Sequence, residues 1–412
     1  MLNFSGGARL KGEIKVSGSK NAGMAIIAAA MLLDGETALT NIPLIDDILD
    51  LKDILIDLGA DISLNASNVM RLNARIFSNH IAVSEKVRSI RASSYLLGAM
   101  LGRFGRAVVA APGGCQIGLR PLNYHLDAFS KMGAEFFWED GVVSLSAPAL
   151  HGADITLPYP SVGATVNVML GAVKARGITA LRNCAREPHV KDTADFLNTS
   201  GADISGAGTE TIFIRGVERL HSYAPYPIIP DSVEAGTYLI YTAITGGKVT
   251  LTNAVPEHIQ TVIDTLRAMG AKIDTHDGVA IKVDSRLKAT DIITAPHPGF
   301  PTDLQQLMMA LMSVSEGTST IKETVFENRF KNAEALIKLG AQIYIDGNTA
   351  VIEGVKELSG ASVDAADLRG GAALIGAALA ARGKTVLSGE DHIYRGYEGI
   401  VEKLTGLGAV IE

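Results

Sequence analysis

Cysteines, aromatic residues and long apolar runs are all scarce in this 412-residue sequence. Cys115 and Cys184 are its two cysteines, too few for a disulfide framework or a metal site built from several thiolates. The longest apolar runs, such as residues 24–33, are far shorter than a membrane span, and residues 1–15 contain no apolar stretch of the signal-peptide type. We therefore expect a cytoplasmic protein that does not bind membranes.

Positive charge is also in short supply, because 37 Lys and Arg residues face 44 Asp and Glu residues and leave a net charge of -7. This balance argues against a general nucleic-acid surface, so any anionic ligand requires a local cluster of cations. Glycine is plentiful, with 43 residues, and predicts close packing with many turns. The length allows two or three domains.

A short pattern, Gly-Ala followed by an apolar residue two positions on, recurs six times and indicates internal repeats. Successive copies are 68 to 74 residues apart, with their glycines at Gly59, Gly133, Gly201, Gly270, Gly340 and Gly408. A second glycine precedes each copy and follows an Ala-rich run of helical length: Gly35, Gly105, Gly177, Gly247, Gly317 and Gly383. Six copies at so even a spacing predict a six-repeat protein.

Each repeat combines helical and strand periodicity. The second glycine opens an alternating stretch such as residues 248–251, which predicts a strand. An amphipathic segment follows, and its apolar residues Ile259, Val262, Ile263 and Leu266 have helical spacing. The Gly-Ala pattern then caps this helix and starts another strand. One repeat therefore reads helix, strand, helix, strand and a further strand, which predicts an α/β fold.

The last repeat reaches the end of the chain without its closing strand. Residues 8–16 are strand-like and otherwise unassigned, so we expect the N-terminal region to complete that repeat. Six repeats then divide into two lobes of three, residues 1–19 with 229–412 and residues 20–228. A cleft between the lobes is the default ligand site.

The starts of the Ala-rich helices carry polar residues that differ between repeats. They are Lys20 with Asn21, Arg91, Ser161 to Gly163, Asp231, Asp303, and Asp367 to Arg369. Carboxylates at a helix start are commonly explained by capping, and this is our interpretation of Asp231. Cations there are unfavourable unless an anion binds, so Lys20, Arg91 and Arg369 indicate an anion site, with solvated charges as the alternative.

The second repeat contains an insertion at residues 111–121, which is rich in glycine and includes Cys115, Arg120 and two prolines. This composition predicts a mobile lid. Its glycines and Arg120 favour an exposed, reactive Cys115 thiol that faces an anion. Cys184 lies in the apolar strand predicted over residues 179–184 and is interpreted as a small buried side chain.

Seven motifs in this order resemble those of the UDP-N-acetylglucosamine enolpyruvyl transferases (the MurA family), over essentially the whole chain. They are Ser17-Gly18-Ser19-Lys20-Asn21-Ala22, Pro112-Gly113-Gly114-Cys115 through Gly118-Leu119-Arg120-Pro121, Ser161-Val162-Gly163-Ala164-Thr165, Phe300-Pro301-Thr302-Asp303, Phe326-Glu327-Asn328-Arg329-Phe330, Asp367-Leu368-Arg369 and Arg395-Gly396-Tyr397. The resemblance implies a two-lobed inside-out α/β barrel of six βαβαββ repeats.

The resemblance also implies the reaction. Phosphoenolpyruvate and UDP-N-acetylglucosamine are the implied partners, and the product is the 3-O-enolpyruvyl sugar nucleotide with phosphate, in the first committed step of peptidoglycan synthesis. No metal or organic cofactor is expected, and a monomer or weak homo-oligomer is expected. An epoxide phosphonate of the fosfomycin type is expected to label Cys115.

The family pattern assigns roles to matching residues. Cys115 resembles the general acid, and Asp303 resembles the group that handles the sugar 3-hydroxyl proton. The residues implied to hold the donor are Lys20, Arg120 and Arg395 at the phosphate and Arg329 and Arg369 at the carboxylate, with Arg91 nearby. The residues implied to bind the sugar nucleotide are Asn21, Ser161, Val162, Gly163, Asp303 and Val325, with Arg120, Pro121, Leu122 and Asn123 along the uridine diphosphate.

Four residues depart from the common family pattern: Asn123, Tyr159, His189 and Tyr394. These departures leave open the alternative that the chain is a paralogue that uses another UDP-amino sugar. Enolpyruvylshikimate-phosphate synthase is a rival that should lack the cysteine loop. A non-catalytic sugar-nucleotide sensor should have lost Cys115, Asp303, Arg120 or Arg395, and a purely structural repeat protein would not place unlike polar residues at equivalent helix starts. The sequence also leaves open whether His125 contacts the diphosphate or only caps local structure.

Overall fold

The computed structural model describes residues 1–111, 113 and 122–412. The predicted sites Cys115, Arg120 and Pro121 lie outside the described residues. The rest forms two compact units: unit 1 comprises residues 1–17 and 230–412, and unit 2 comprises the described part of residues 18–229. In the described part of the chain, no helix combines the length and apolar character needed to cross a membrane.

The strands and helices alternate along both units. The strands are β1 (Leu2–Ser5), β2 (Lys11–Ile14), β3 (Glu36–Thr40), β4 (Asp61–Leu64), β5 (Met70–Asn73), β6 (Ile81–Ala82), β7 (Arg106–Ala110), β8 (Glu135–Glu139), β9 (Val142–Ser146), β10 (Asp154–Thr156), β11 (Ile178–Arg182), β12 (Asp203–Ser205), β13 (Thr211–Arg215), β14 (Tyr226–Pro227), β15 (Lys248–Leu251), β16 (Lys272–Asp274), β17 (Val279–Lys282), β18 (Ile292–Ile293), β19 (Thr318–Lys322), β20 (Gln342–Asp346), β21 (Thr349–Glu353), β22 (Ser362–Asp364), β23 (Lys384–Ser388) and β24 (Val410–Ile411).

The helices are α1 (Lys20–Ala30), α2 (Asp46–Asp57), α3 (Glu85–Ser89), α4 (Tyr95–Phe104), α5 (Asn123–Lys131), α6 (Val162–Ala172), α7 (Pro188–Thr199), α8 (Ser232–Thr245), α9 (Gln260–Met269), α10 (Thr302–Met312), α11 (Ala333–Lys338), α12 (Leu368–Ala380), α13 (Asp391–Tyr394) and α14 (Ile400–Gly406). Two 3-10 turns, Arg91–Ser94 and Pro256–Ile259, precede α4 and α9.

The strands form six four-stranded sheets with one topology. In the sheet β10-β11-β13-β12, for example, β10 is parallel to β11, while β13 is antiparallel to both β11 and β12. The parallel step needs a crossover connection, which α6 supplies, and α7 connects β11 to β12. Each repeat therefore reads βαβαββ, as the resemblance implies.

Strands from distant parts of the chain complete three of these sheets. β1 pairs with β23 and β24 and completes the last repeat. β14 is parallel to β3 and supplies the first strand of the first repeat. Residues 8–16, which the repeat pattern assigns to the last repeat, contain β2 instead, and β2 is parallel to β15 in the fourth repeat. That assignment is wrong because a strand-like pattern shows that a segment pairs but not with which partner.

The Ala-rich helices form the core of each unit. In α1, nine consecutive residues from Ala22 to Ala30 are buried, as expected of a helix that is apolar on all sides. α4 packs on α6 in unit 2, and α10 packs on α12 in unit 1. Gly98 permits the first approach, since a Cβ atom there would lie 2.4 Å from the carbonyl oxygen of Asn167. The polar residues predicted at helix starts are held by these buried helices.

Candidate active-site residues in the two units

In unit 1, the carboxylate of Asp303 lies between two predicted arginines. Asp303 is the second residue of α10, and its Oδ1 and Oδ2 lie 2.6 Å from Nη2 of Arg329 and 3.1 Å from Nη2 of Arg369. The Arg329 and Arg369 side chains are 2% and 6% exposed, whereas that of Asp303 is 29% exposed. The structure thus brings three predicted residues together and leaves the carboxylate partly open to a ligand.

Both arginines are themselves held in place. Arg329 Nε donates to the Thr302 carbonyl at 3.4 Å, and its guanidinium lies 5.5 Å from the centre of the Phe326 ring. The Arg369 guanidinium lies 5.2 Å from the centre of the Tyr397 ring. Two guanidinium groups converge on one carboxylate, and guanidinium groups are well suited to bind carboxylate and phosphate oxygens.

Two other carboxylates at helix starts in unit 1 are caps. Asp231 accepts hydrogen bonds from the amides of Val233 and Glu234, and Asp367 accepts from those of Arg369 and Gly370. The capping interpretation of Asp231 is therefore confirmed. At α10 the N-cap is Pro301, with no side-chain cap, and Asp303 lies inside the first turn. The Asp303 carboxylate therefore binds arginine side chains, whereas those of the other two bind helix amides.

Val325 and Arg395 also belong to unit 1. Val325 is half-buried, and its amide donates to Oε1 of Glu323. Arg395 is half-buried at the C-terminal end of α13. The next residue, Gly396, packs against Leu368 at the start of α12, which places this segment beside Arg369.

Lys20 begins α1 in unit 2, and it is not a solvated charge. Its Nζ lies 2.6 Å from Oδ2 of Asp47, and the two side chains are 14% and 7% exposed. Asp47 is in the first turn of α2 and supplies the negative charge expected near a cation at a helix start. Ser19 caps α1 through the amide of Ala22, and Asn21 is half-buried beside Lys20.

His125 is buried in unit 2, and its neighbours determine its tautomer. The Asn167 amide nitrogen donates to the Ser94 carbonyl and to His125 Nδ1, at 2.9 and 2.8 Å, and its oxygen accepts from the Gly98 amide at 2.8 Å. Exchanging the amide atoms of Asn167 would break two of these bonds, so Nδ1 of His125 is an acceptor and Nε2 carries the proton.

The protonated Nε2 of His125 lies at the start of α6. A Cβ atom on Gly163 would be 3.1 Å from Cε1 and 3.2 Å from Nε2 of the ring. Burial, with the positive charge of Arg91, lowers the pKa of His125 to about 3. The imidazole is therefore an uncharged hydrogen-bond donor beside the predicted Ser161 to Gly163 segment.

The other predicted residues of unit 2 lie at helix starts. Ser161 caps α6 through the Ala164 amide, and Val162 and Gly163 are half-buried. Leu122 is buried and Asn123 is exposed at the start of α5. Arg91 begins the 3-10 turn before α4 instead of starting α4 itself.

Comparison with known proteins places the chain in a family. A model of the EPSP synthase (3-phosphoshikimate 1-carboxyvinyltransferase) family matches residues 4–404. UDP-N-acetylglucosamine 1-carboxyvinyltransferase of Clostridium botulinum is 44% identical over 412 residues, which cover 100% of this chain and 99% of that protein. The enzyme of the same name from Halothermothrix orenii is 46% identical over 409 residues, 99% and 98% of the two chains.

The chain belongs to the UDP-N-acetylglucosamine 1-carboxyvinyltransferase family. Among solved structures, the enolpyruvyl transferase NikO from Streptomyces tendae is similar with a TM-score of 0.88 and 28% identity, covering 100% of this chain and 98% of that one. EPSP synthase from Acinetobacter baumannii shares the fold, with a TM-score of 0.79, 20% identity and coverage of 100% and 99%. The predicted resemblance and the α/β fold of six repeats are confirmed.

The family motifs did not reveal every residue that supports the site. Asp47, Asn167 and Glu323 are polar, buried and bonded to predicted site residues or their neighbours. A polar residue inside an otherwise apolar helix is the one signal that could have pointed to Asn167. The departures Tyr159, His189 and Tyr394 from the family pattern lie before α6, at the start of α7 and at the end of α13.

Cys184 is buried, as predicted, and its thiol donates to the Leu181 carbonyl. Burial raises the pKa of Cys184 to about 12, so its thiol stays protonated and unreactive at neutral pH. In the described ranges, no cluster of His, Cys, Asp and Glu side chains is arranged to hold a metal ion.

Proposed function

We propose that this chain transfers the enolpyruvyl group of phosphoenolpyruvate to the 3-hydroxyl of UDP-N-acetylglucosamine and releases phosphate. The reaction would be the first committed step of peptidoglycan synthesis, in the cytoplasm. Relatives 44% and 46% identical over the full length carry the corresponding enzyme name. The observation that carries the proposal is a partly open Asp303 held by two buried arginines at a helix start.

The chemistry is an addition followed by an elimination at C2 of phosphoenolpyruvate. The sugar 3-oxygen bonds to C2, its proton passes to a base, and the methylene carbon C3 gains a proton. C3 then loses a proton as the C2–oxygen bond to phosphate breaks, which restores the double bond. Each proton step needs a positioned acid or base, and the negative charges need fixed cations.

Asp303 is proposed as the base for the 3-hydroxyl proton. Arg329 and Arg369 hold its two oxygens in place, and its partial exposure lets a hydroxyl approach. The same arginines are proposed to attract the carboxylate of phosphoenolpyruvate. Cys115 is proposed as the acid at C3, and Lys20, Arg120 and Arg395 are proposed to hold the phosphate.

The sugar nucleotide is proposed to bind along helix starts that present amides and uncharged donors. Ser161 to Gly163 begin α6, and free amides at a helix start favour the charge of a diphosphate. His125 adds its Nε2–H at this position, which favours contact with the diphosphate over a purely local role. Asn21 and the Val325 carbonyl are proposed to contact the sugar.

Phosphate release from phosphoenolpyruvate tests the proposal, with UDP-N-acetylglucosamine, other UDP-amino sugars or shikimate 3-phosphate supplied separately. We expect release only with UDP-N-acetylglucosamine, and none from phosphoenolpyruvate alone. Release with a different UDP-amino sugar would identify a paralogue, and release with shikimate 3-phosphate would move the chain to the rival enzyme. No release with any acceptor, but calorimetric binding of the nucleotide, would indicate a sensor.

A further inference from the structure

Glu323, directly after β19, is a buried carboxylate to which the family motifs give no role. It is 2% exposed. Its Oε1 accepts from the Thr294 hydroxyl at 2.8 Å and from the amides of Val325 and Phe326 at 2.7 and 3.1 Å. Its Oε2 accepts from the Thr302 hydroxyl at 2.9 Å. Four donors on one carboxylate meet the requirement for burying its charge.

Two series of contacts, called routes below, connect Glu323 to Asp303. In the first, Oε2 holds the hydroxyl of Thr302, which precedes Asp303 in the first turn of α10. In the second, Oε1 holds the amide of Phe326, whose ring lies against the Arg329 guanidinium, and Arg329 binds Asp303.

The two routes meet again at Thr302. Its hydroxyl donates to Glu323 while its carbonyl accepts from Arg329 Nε, so one residue fixes both the base and the cation that holds it. The result is a closed ring of contacts: Glu323, Thr302, Asp303, Arg329 and Phe326. Each residue of the ring is held by two neighbours and is therefore more restricted in position than by a single bond. A substitution of Glu323 should therefore change the position of the Asp303 side chain.

We propose that Glu323 is a positioning residue that aligns Asp303 and Arg329 for proton transfer from the acceptor hydroxyl. The inference rests on the proposed function, because that function makes Asp303 the base. Glu323 touches no substrate in this scheme. Its effect should therefore fall mainly on kcat, with a smaller rise in the KM for phosphoenolpyruvate, because Arg329 is one of several cations proposed to hold the donor.

Thr302 allows a matched test of the first route. Thr302→Val keeps the shape of the side chain and removes the hydroxyl, whereas Thr302→Ser keeps the hydroxyl and removes a methyl group. We expect Thr302→Val to lower kcat about three- to tenfold, the equivalent of one hydrogen bond, with the KM for phosphoenolpyruvate within about twofold. Thr302→Ser should stay within about twofold of the wild type.

Glu323 itself tests both routes. Glu323→Gln keeps one oxygen acceptor and can donate to the Thr302 oxygen, so it should retain kcat within about fivefold. Glu323→Ala removes all four acceptors and should lower kcat about 100-fold, the scale of a misplacement near 1 Å. It should also raise the KM for the nucleotide sugar, because the Val325 segment loses its anchor.

Thr242→Val is the control for a general loss of stability. Thr242 is buried in α8 of the same unit, and its hydroxyl donates to the Tyr238 carbonyl. We expect it to lower the melting temperature about as much as Thr302→Val, at unchanged kcat. Wild-type kcat in Thr302→Val, or equal losses in Thr302→Val and Thr242→Val, would overturn the inference. The comparison of Thr302→Val with Thr302→Ser tests the inference even when Glu323→Ala fails to fold.

Failure of the proposed function is recognisable separately, because the wild-type protein would then release no phosphate with the proposed substrates. In that case hydrogen exchange at the Val325 and Phe326 amides replaces kcat as the readout. The inference expects faster exchange at both amides in Glu323→Ala than in Thr242→Val. Equal exchange rates in the wild type, Glu323→Ala and Thr242→Val would refute it.

Discussion

The two units begin their buried helices with different polar groups. In unit 2, the serines Ser19 and Ser161 cap α1 and α6, each through one amide at 3.3 Å. In unit 1, Asp231 and Asp367 cap α8 and α12, each through two amides at 2.8 to 3.0 Å. Hydroxyl caps leave unit 2 without added negative charge at these positions, whereas carboxylate caps add it in unit 1.

Asp303 shows what this difference means for chemistry. Like Asp231 and Asp367, it is an aspartate at the start of a buried helix of unit 1, but it lies beyond the N-cap position and binds Arg329 and Arg369. At the caps, Oδ1 of Asp231 and of Asp367 accepts amides of its own helix, and Oδ2 of Asp367 also accepts from Gln306 in α10. At Asp303 both oxygens bind arginines of other segments. Chemically identical groups in equivalent repeats therefore have different tasks, and substitutions at Asp303, at His125 and at the caps test this contrast.

The largest expected effect is that of Asp303→Asn. The amide cannot accept the 3-hydroxyl proton, so we expect kcat to fall about 10²- to 10⁴-fold while calorimetry still detects nucleotide-sugar binding. Asp154→Asn is the control, because Asp154 binds Arg182 on the exposed surface of unit 2 and should leave turnover unchanged. Wild-type turnover in Asp303→Asn would remove Asp303 from the chemistry.

A smaller effect is expected at His125, the buried and uncharged hydrogen-bond donor of unit 2. Its pKa is about 3 in the fold and near 6.5 unfolded, so the unfolded chain binds a proton that the folded chain does not. The stabilisation is complete above pH 6.5 and is lost as the pH falls, by about 2 kcal/mol at pH 5. The melting temperature should therefore fall more between pH 7.5 and 5 in the wild type than in His125→Gln, and equal falls would contradict the burial of a neutral imidazole.

The smallest effect is expected at the caps themselves. Asp231→Ala should lower the free energy of unfolding by about 1 to 2 kcal/mol, and Ser19→Ala by about 0.5 kcal/mol, because the serine bond is single and longer. Asp231→Asn should recover most of the loss, as asparagine also caps helices. Urea denaturation measures all three, and an Asp231→Ala variant as stable as the wild type would show that this cap is dispensable.

Most of the fold was predictable because its signals are local. Hydrophobic periodicity and the two recurring glycines depend on neighbouring residues only, so they identified six repeats with both helices and three of the four strands of each. The short first strand of each repeat, such as β10, came only from the family resemblance. The pairing of β1 and β2 was not predictable in the same way. Short strands with similar alternation differ in partner only through contacts across the whole chain, and residues 8–16 were assigned to the wrong repeat for that reason.

The candidate site was predictable in its residue types and not in its arrangement. Family motifs pointed to Asp303, Arg329 and Arg369, which the fold brings together. The cation at a helix start predicted an anion beside Lys20, and the structure places the carboxylate of Asp47 there. The residues that support them have no comparable signal. Asp47 and Glu323 are ordinary acidic residues in the sequence, and their burial beside site residues becomes visible only in the fold.

The sequence by itself determined the six repeats, the buried helices and the polar residues at their starts, since each depends on side chains within one or two helical turns. Tertiary structure decided what those polar residues do. Asp303 meets its arginines 26 and 66 residues away, and His125 receives its hydrogen bond from Asn167, 42 residues away. A hydrogen bond requires donor and acceptor within about 3 Å, and over such separations only the packed helices and sheets bring them that close.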